Sequence, residues 1–277
     1  MEIQWSLALF TVIAGTGAGV LAFAGVSEFF GASKKARFIA AICSLILLVV
    51  GGSVSVFHLS QPANFMSAAA NLGSFSPISL ELIALGLAVI VAIVYLVLVN
   101  RESSAAKILC ACGILVGIFF GYVSGHGYEI IATRPAWATP AVTFSYLFSA
   151  LTMGGFLYLA IQAALKDEAE AIKKTALFVA IIAALSVVLY IAYAATAPLG
   201  ENAMIMWLGA VVVGLIALVA GVLAFLKEKT ALGAACAGLV TAVIAAIVFR
   251  SVMWLAGSMY LPSFFDLASQ SRGLWPF

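Results

Sequence analysis

The sequence predicts an all-α integral membrane protein, a bundle of eight transmembrane helices with both termini outside. Three observations predict it. Of 277 residues, 65% are hydrophobic and only 9% charged; the apolar residues fall into eight continuous runs; and the basic residues gather on alternate connections. The first observation excludes a water-soluble globular chain. A closed barrel, the other way to satisfy backbone groups in lipid, would show short alternating segments instead. A scattered net charge of +2 gives nucleic acid nothing to bind. The longest stretch without a membrane-grade run is 60–77, so the chain reads as a single domain over 1–277 with no soluble module.

The first run, 5–29, has no basic residue ahead of Lys34; lacking the positive region of a secretory signal, it is expected to stay in the mature protein. Lys34 and Lys35 separate it from the second, 36–59, and Pro62 and Asn64 close that one. The third, 79–99, ends at the polar stretch 100–104. The fourth, 105–125, carries Gly113, Gly117, Gly121 and Gly125, a side-chain-free ridge whose expected use is close helix packing. Pro135 and Pro140 precede the fifth, 141–165; the charged stretch 166–174 separates it from the sixth, 175–196; and Pro198 and Gly200 precede the seventh, 204–226. The eighth, 231–261, would reach roughly 46 Å at about 1.5 Å per residue, against a hydrocarbon core of about 30 Å, so it is expected to tilt or project.

Lys34, Lys35, Arg37, Arg101, Lys107, Lys166, Lys173, Lys174, Lys227 and Lys229 lie on one side, only Arg134 and Arg272 on the other, and Arg250 within the last run. Positive charge stays in the cytoplasm, so both termini are expected to face outward.

Four ionisable groups converge on that outer side: His58, Glu81, His126 and Arg250. For any one alone, interfacial snorkelling is as good a reading as function. Arg250 is harder to dismiss, because apolar sequence continues beyond it; it calls for a partner inside the membrane, and Glu81 is the obvious carboxylate. Oxidising a quinol requires an acceptor for each hydroxyl proton and a way out to water, roles that fit His58 and Glu81. Phe57, Phe75, Tyr128, Trp137 and Trp254 could line a slot for a flat ring, although residue by residue an interfacial aromatic belt is the commoner reason for such positions. Two histidines could instead ligate a haem, but both stand at helix ends and no second pair exists, so no haem is expected. Cys43, Cys110, Cys112 and Cys236 lie in the inner half and read as small buried hydrophobes, not as metal ligands.

His58-Leu59-Ser60-Gln61-Pro62, then Asn71-Leu72 and Ser79-Leu80-Glu81, resemble the membrane anchor subunit family of dimethyl sulfoxide reductase. Tyr128 followed by Pro135-Ala136-Trp137-Ala138-Thr139-Pro140 is similar to that family's loop between helices four and five, and Arg250 to an arginine in its helix eight. Ser60, Ala246 and Phe249 depart from the family pattern, as does His126, where an arginine often precedes the tyrosine. The resemblance implies a multi-pass protein of the bacterial cytoplasmic membrane that binds and oxidises menaquinol near the outer leaflet, without haem or metal of its own. It implies two protein partners: a ferredoxin-like iron–sulfur subunit that takes the electrons, and a molybdopterin catalytic subunit that reduces a substrate such as dimethyl sulfoxide in anaerobic respiration. The chain alone would have no activity. His58 and Glu81 are then the catalytic residues, and Arg250, Tyr128, His126 and Trp137 complete the quinol site. A quinone-reducing anchor of a related sulfur-compound oxidoreductase would use the same membrane chemistry in reverse. A secondary transporter should show internal repeats and broken helices at the midplane, and the sequence shows neither clearly.

Overall fold

A computed structural model of the protein describes residues 2–57, 66, 70–100 and 105–257. Eight helices are long and apolar enough to cross a membrane: α1 Trp5–Phe30, α2 Lys34–Val56, α3 Pro77–Asn100, α4 Ala105–Glu129, α5 Pro140–Ala164, α6 Ala169–Thr196, α7 Gly200–Leu226 and α8 Ala231–Leu255. There is no strand among the described residues.

The helices form two rings of four. α1 packs on α2, α2 on α3, α3 on α4 and α4 back on α1; α5 to α8 repeat that order, and the rings join where α1 and α4 meet α5. The repeat lies in the topology and is not apparent in the order of residues. α1 and α5 form the axis: 83% of the α1 core window and 78% of that of α5 is buried, against 28% for α2, which faces outward. Small residues make this possible, since helices in lipid associate by close packing and not by the hydrophobic effect. Gly15 lies against Ala150, Gly19 against Gly154, and Gly17 against Ser44 and Leu47. The α4 ridge works as expected and serves two neighbours: Gly113 and Gly117 lie against Leu21 and Ala18 of α1, Gly121 and Gly125 against Leu147 and Thr143 of α5.

Local chemistry sets the helix ends. Ser33 caps α2 by accepting from Ala36 N (3.2 Å), and Thr139 caps α5, with Pro140 in its first turn. α1 stops at Gly31, whose left-handed φ of 79° lets its N–H return to Ser27 O. α6 starts at Ala169, earlier than the apolar run at 175, because Glu170, Lys173 and Lys174 ride on its first turns, with Lys174 Nζ 3.5 Å from Glu170. α8 closes at Leu255, short of the 261 expected. The turn at Ala256 and Gly257 is held by the α4–α5 connection: Trp137 Nε1 donates to Met253 O (2.7 Å) and Arg134 donates to Gly257 O. Within α7, Met206–Val212 widens into a π-helical turn, and Gly209 there packs on Val248 of α8.

At the end where α2, α4, α6 and α8 begin, termed here the basic face, the two rings are tied by polar contacts. Asp167 accepts from Ser33 N (2.8 Å) and Tyr158 donates to Ser27 Oγ (2.5 Å) across the rings, while within them Gln162 Nε2 donates to Asp167 (3.2 Å) and Glu28 pairs with Arg37. The opposite end, where α1, α3, α5 and α7 begin, is the terminal face.

Candidate functional site

At the terminal face a cavity of about 270 Å³ opens between α1, α2, α3 and α4, just below the about 300–1,000 Å³ typical of small-molecule sites. Its walls are mostly apolar, among them Leu7, Phe10, Leu82 and Val123, and its polar groups are Ser55, Glu81, Ser124 and Tyr128.

The start of α3 fixes Glu81. Ser76 Oγ accepts from Ser79 N (3.3 Å) and its carbonyl from Leu80 N (2.9 Å), with Pro77 opening the helix. Ser79 is buried, and its hydroxyl lies 2.9 Å from those of both Ser74 and Ser76 and donates to Asn71 O (3.2 Å). These bonds tie the 71–76 segment to the first turn of α3 and leave Glu81, two residues on, facing the cavity. An ionisable side chain against such walls stays only if it has a partner or a task.

Tyr128 is held from behind by other rings. Its centroid is 5.3 Å from that of Trp137, 5.9 Å from Trp254 and 5.4 Å from Tyr146. Trp137 and Trp254 meet edge to face at 4.9 Å, and Arg134 lies over Trp137 at 4.5 Å. Trp137 therefore supports Tyr128 and does not itself line the cavity.

Arg250 is fully buried, one layer further back. The carboxylate partner expected for it is absent: among the described residues no carboxylate lies within 4.0 Å of its guanidinium. Neutral groups receive it instead. Nε donates to Thr11 Oγ1 (2.8 Å), Nη1 donates to Ser149 Oγ (3.3 Å) and Ala246 O (3.1 Å), and the guanidinium carbon sits 4.2 Å from the centre of the Tyr146 ring. Hydroxyls and a ring face can stabilise a cation without neutralising it, so the positive charge is retained behind Tyr146 and Tyr128. Beyond Ser149 the hydroxyls continue to Thr152 and Ser186, 2.9 Å apart, beside a void of about 10 Å³, room for a single water.

His126 lies on the next face of α4, stacked on Tyr122 (5.3 Å, 21°), and lines a separate cavity of about 180 Å³ with Phe75 and Leu80. Phe75 adopts a left-handed φ of 49°, which carries its ring there. His58 lies outside the described residues, three positions after Ser55 of the cavity wall. Phe57, expected in the ring slot, is 77% exposed. The structure thus brings Glu81 and Tyr128 to one cavity, sets Trp137 and Arg250 behind it and puts His126 beside it. Ser124, Thr11, Tyr146 and Ser149 were missed, since a hydroxyl in a membrane helix ordinarily bonds its own backbone and gives no signal in one sequence.

The family model described as DMSO reductase anchor subunit (DmsC) matches residues 1–253. The chain belongs to this family. No curated protein matches it. As a DMSO reductase anchor it is a multi-pass membrane protein and the membrane partner of the electron-transfer and catalytic subunits of an oxidoreductase complex. The match spans α1 to α7 and reaches Met253, so it takes in Glu81, Tyr128, Trp137 and Arg250.

Proposed function

We propose that this anchor oxidises menaquinol in the cavity between α1, α2, α3 and α4, near the outer leaflet of a bacterial cytoplasmic membrane. The electrons pass to an iron–sulfur subunit and on to a molybdopterin subunit that reduces a terminal acceptor such as dimethyl sulfoxide. The observation that carries this reading is that Glu81 and Tyr128 line one largely apolar cavity. A quinol can release its electrons only as its hydroxyl protons leave, so the site needs proton acceptors beside flat apolar walls. Glu81 takes one proton. His58 is assigned the other on the resemblance of its motif. Tyr128, backed by Trp137, presents a ring to the quinol head, and His126 stands beside the same wall. Arg250 stays positive behind Tyr146 and favours the negative charge that develops as protons leave. Among the described residues, nine basic side chains belong to the basic face or the helix turns beside it, which supports a cytoplasmic basic face and an outer cavity.

The test is Glu81→Gln in the intact complex. The amide keeps the shape of the side chain but cannot accept a proton. Menaquinol-dependent turnover should fall by about 100-fold or more, while assembly and activity with an artificial electron donor to the catalytic subunit stay normal. Unchanged quinol kinetics would remove Glu81 from the reaction and the cavity from consideration.

A further inference from the structure

Each turnover leaves the quinol site holding protons that must reach water before the next. When the two quinol O–H bonds break, the electron pair goes to the iron–sulfur partner, one proton goes to Glu81 and the other to His58 as proposed above, and Glu81 cannot serve again until it is emptied. Beside the cavity, at the terminal-face end of α4, stand two further ionisable side chains, His126 and Glu129.

The cavity beside His126 shares Pro77, Val123 and Gly127 with the Glu81 cavity, so these three residues form the partition between them. The partition is thin at Gly127, which has no side chain; a Cβ there would lie 3.2 Å from Pro77 Cβ. On the far side, the Nδ1 of His126 is buried and has no hydrogen-bond partner among the described residues. A buried nitrogen left without a partner is costly, and native structures contain few of them. Glu129 Oε2 lies 3.6 Å from His126 Nδ1, just beyond hydrogen-bonding range. Glu129 is held in turn by Thr143 Oγ1, which donates to the same oxygen. Stacking on Tyr122 fixes the plane of the imidazole, and the side chains of His126 and Glu129, 37% and 24% exposed, stand at the terminal-face end of α4. A histidine whose only task was to complement the helix C-terminus would need neither a cavity at its edge nor a positioned carboxylate.

We propose that His126 and Glu129 are the proton exit of the quinol site: a proton leaves Glu81 through the paired cavities to the imidazole, crosses to the Glu129 carboxylate and is released to water at the terminal face. An imidazole suits the middle position because it can bind a proton at one nitrogen and give one up from the other. Neither residue touches the quinol in this scheme. The proposal rests on the quinol reading above.

The experiment compares His126→Ala and Glu129→Gln with the unaltered complex, using a quinol-site inhibitor as binding probe and menaquinol as electron donor. Glutamine keeps an acceptor for Thr143 and so preserves the local fold. Expected are unchanged inhibitor affinity and KM, a kcat lowered by about 10-fold or more, a larger solvent deuterium isotope effect, and recovery of His126→Ala by added imidazole. Full turnover in both variants overturns the relay, as does a loss of turnover that comes with lost inhibitor binding and no imidazole recovery, which would make the pair structural. If Glu81→Gln keeps quinol turnover in the same assays, the quinol reading has failed, and the relay with it; if Glu81→Gln is inactive while both other variants are normal, the relay alone has failed.

Discussion

Substituting Gly125 by alanine adds a single methyl at a close point of the α4–α5 part of the seam between the rings. A Cβ there would lie 2.6 Å from Thr143 Cα and 2.9 Å from both Thr143 O and Tyr146 Cβ. Carbon atoms rest about 3.5–4.0 Å apart, so α4 and α5 must separate locally by roughly 1 Å, and the backbone of α5 cannot yield as a side-chain tip would. Overpacking of this kind costs about 1–3 kcal/mol. At about 2–4 °C per kcal/mol for a chain of this size, the melting temperature of the purified complex in detergent should drop by roughly 2–12 °C. The same displacement moves Tyr146 away from Tyr128, now 5.4 Å between centroids, so the KM for menaquinol should rise as well. Gly86 on α3 is the control: nothing lies within 4 Å of a Cβ built there, and alanine should stabilise the helix by about 0.5–1 kcal/mol. If Gly125→Ala melts at or above Gly86→Ala, the close seam between α4 and α5 is wrong.

Arg250→Lys keeps the charge, but an ammonium cannot reproduce the fork that reaches Thr11, Ser149 and the Ala246 carbonyl together; losing one charge-assisted bond should destabilise by about 1.5–3 kcal/mol, read by the same melt, and a wild-type melting curve would contradict the hydrogen bonding described. A topology reporter inserted at Asp167 should read as cytoplasmic and one at Glu201 as external, and the reverse pattern would turn the cavity to the inner leaflet. Turnover of the whole complex in sealed vesicles should create no membrane potential. The hydroxyl string that starts at Arg250 ends at Ser186, and buried Phe23, Met153, Phe156 and Val179 fill the space before Tyr158 and Ser27; a sustained, uncoupler-sensitive potential would mean that protons cross this apolar layer.

The eight spans were legible because membrane helices are continuous apolar runs, and most of their limits fall within a turn of those observed. The two larger misses have physical causes. Charged residues in the first turns of α6 look like a loop in one dimension, yet Glu170 and Lys174 pair on the helix surface. The apolar sequence runs on past Leu255, and what ends α8 is a tryptophan and an arginine from a distant connection taking its carbonyl oxygens. At the site, Glu81 was legible as a carboxylate in a membrane helix and Tyr128 through its motif. The surroundings of Arg250 were not. Charge reasoning asks for a carboxylate, while the fold supplies Thr11, Ser149 and the face of Tyr146 from helices far apart in sequence.

The bond between Thr11 and Arg250 joins the first span to the last, and this has a consequence during synthesis. At about 5–20 residues per second, the 135 residues from Gly19 to its contact Gly154 take roughly 7–27 s to make. For that interval the small-residue face of α1 meets lipid or the insertion machinery, and the first ring exists without the second. A ribosome that has finished α4 has made the Glu81 cavity with no cation behind it. The guanidinium arrives some 120 residues after Glu129, and only then is the pocket electrostatically complete. A truncated or stalled chain therefore holds the pocket with its carboxyl but without its guanidinium, an intermediate whose electrostatics only the last span completes.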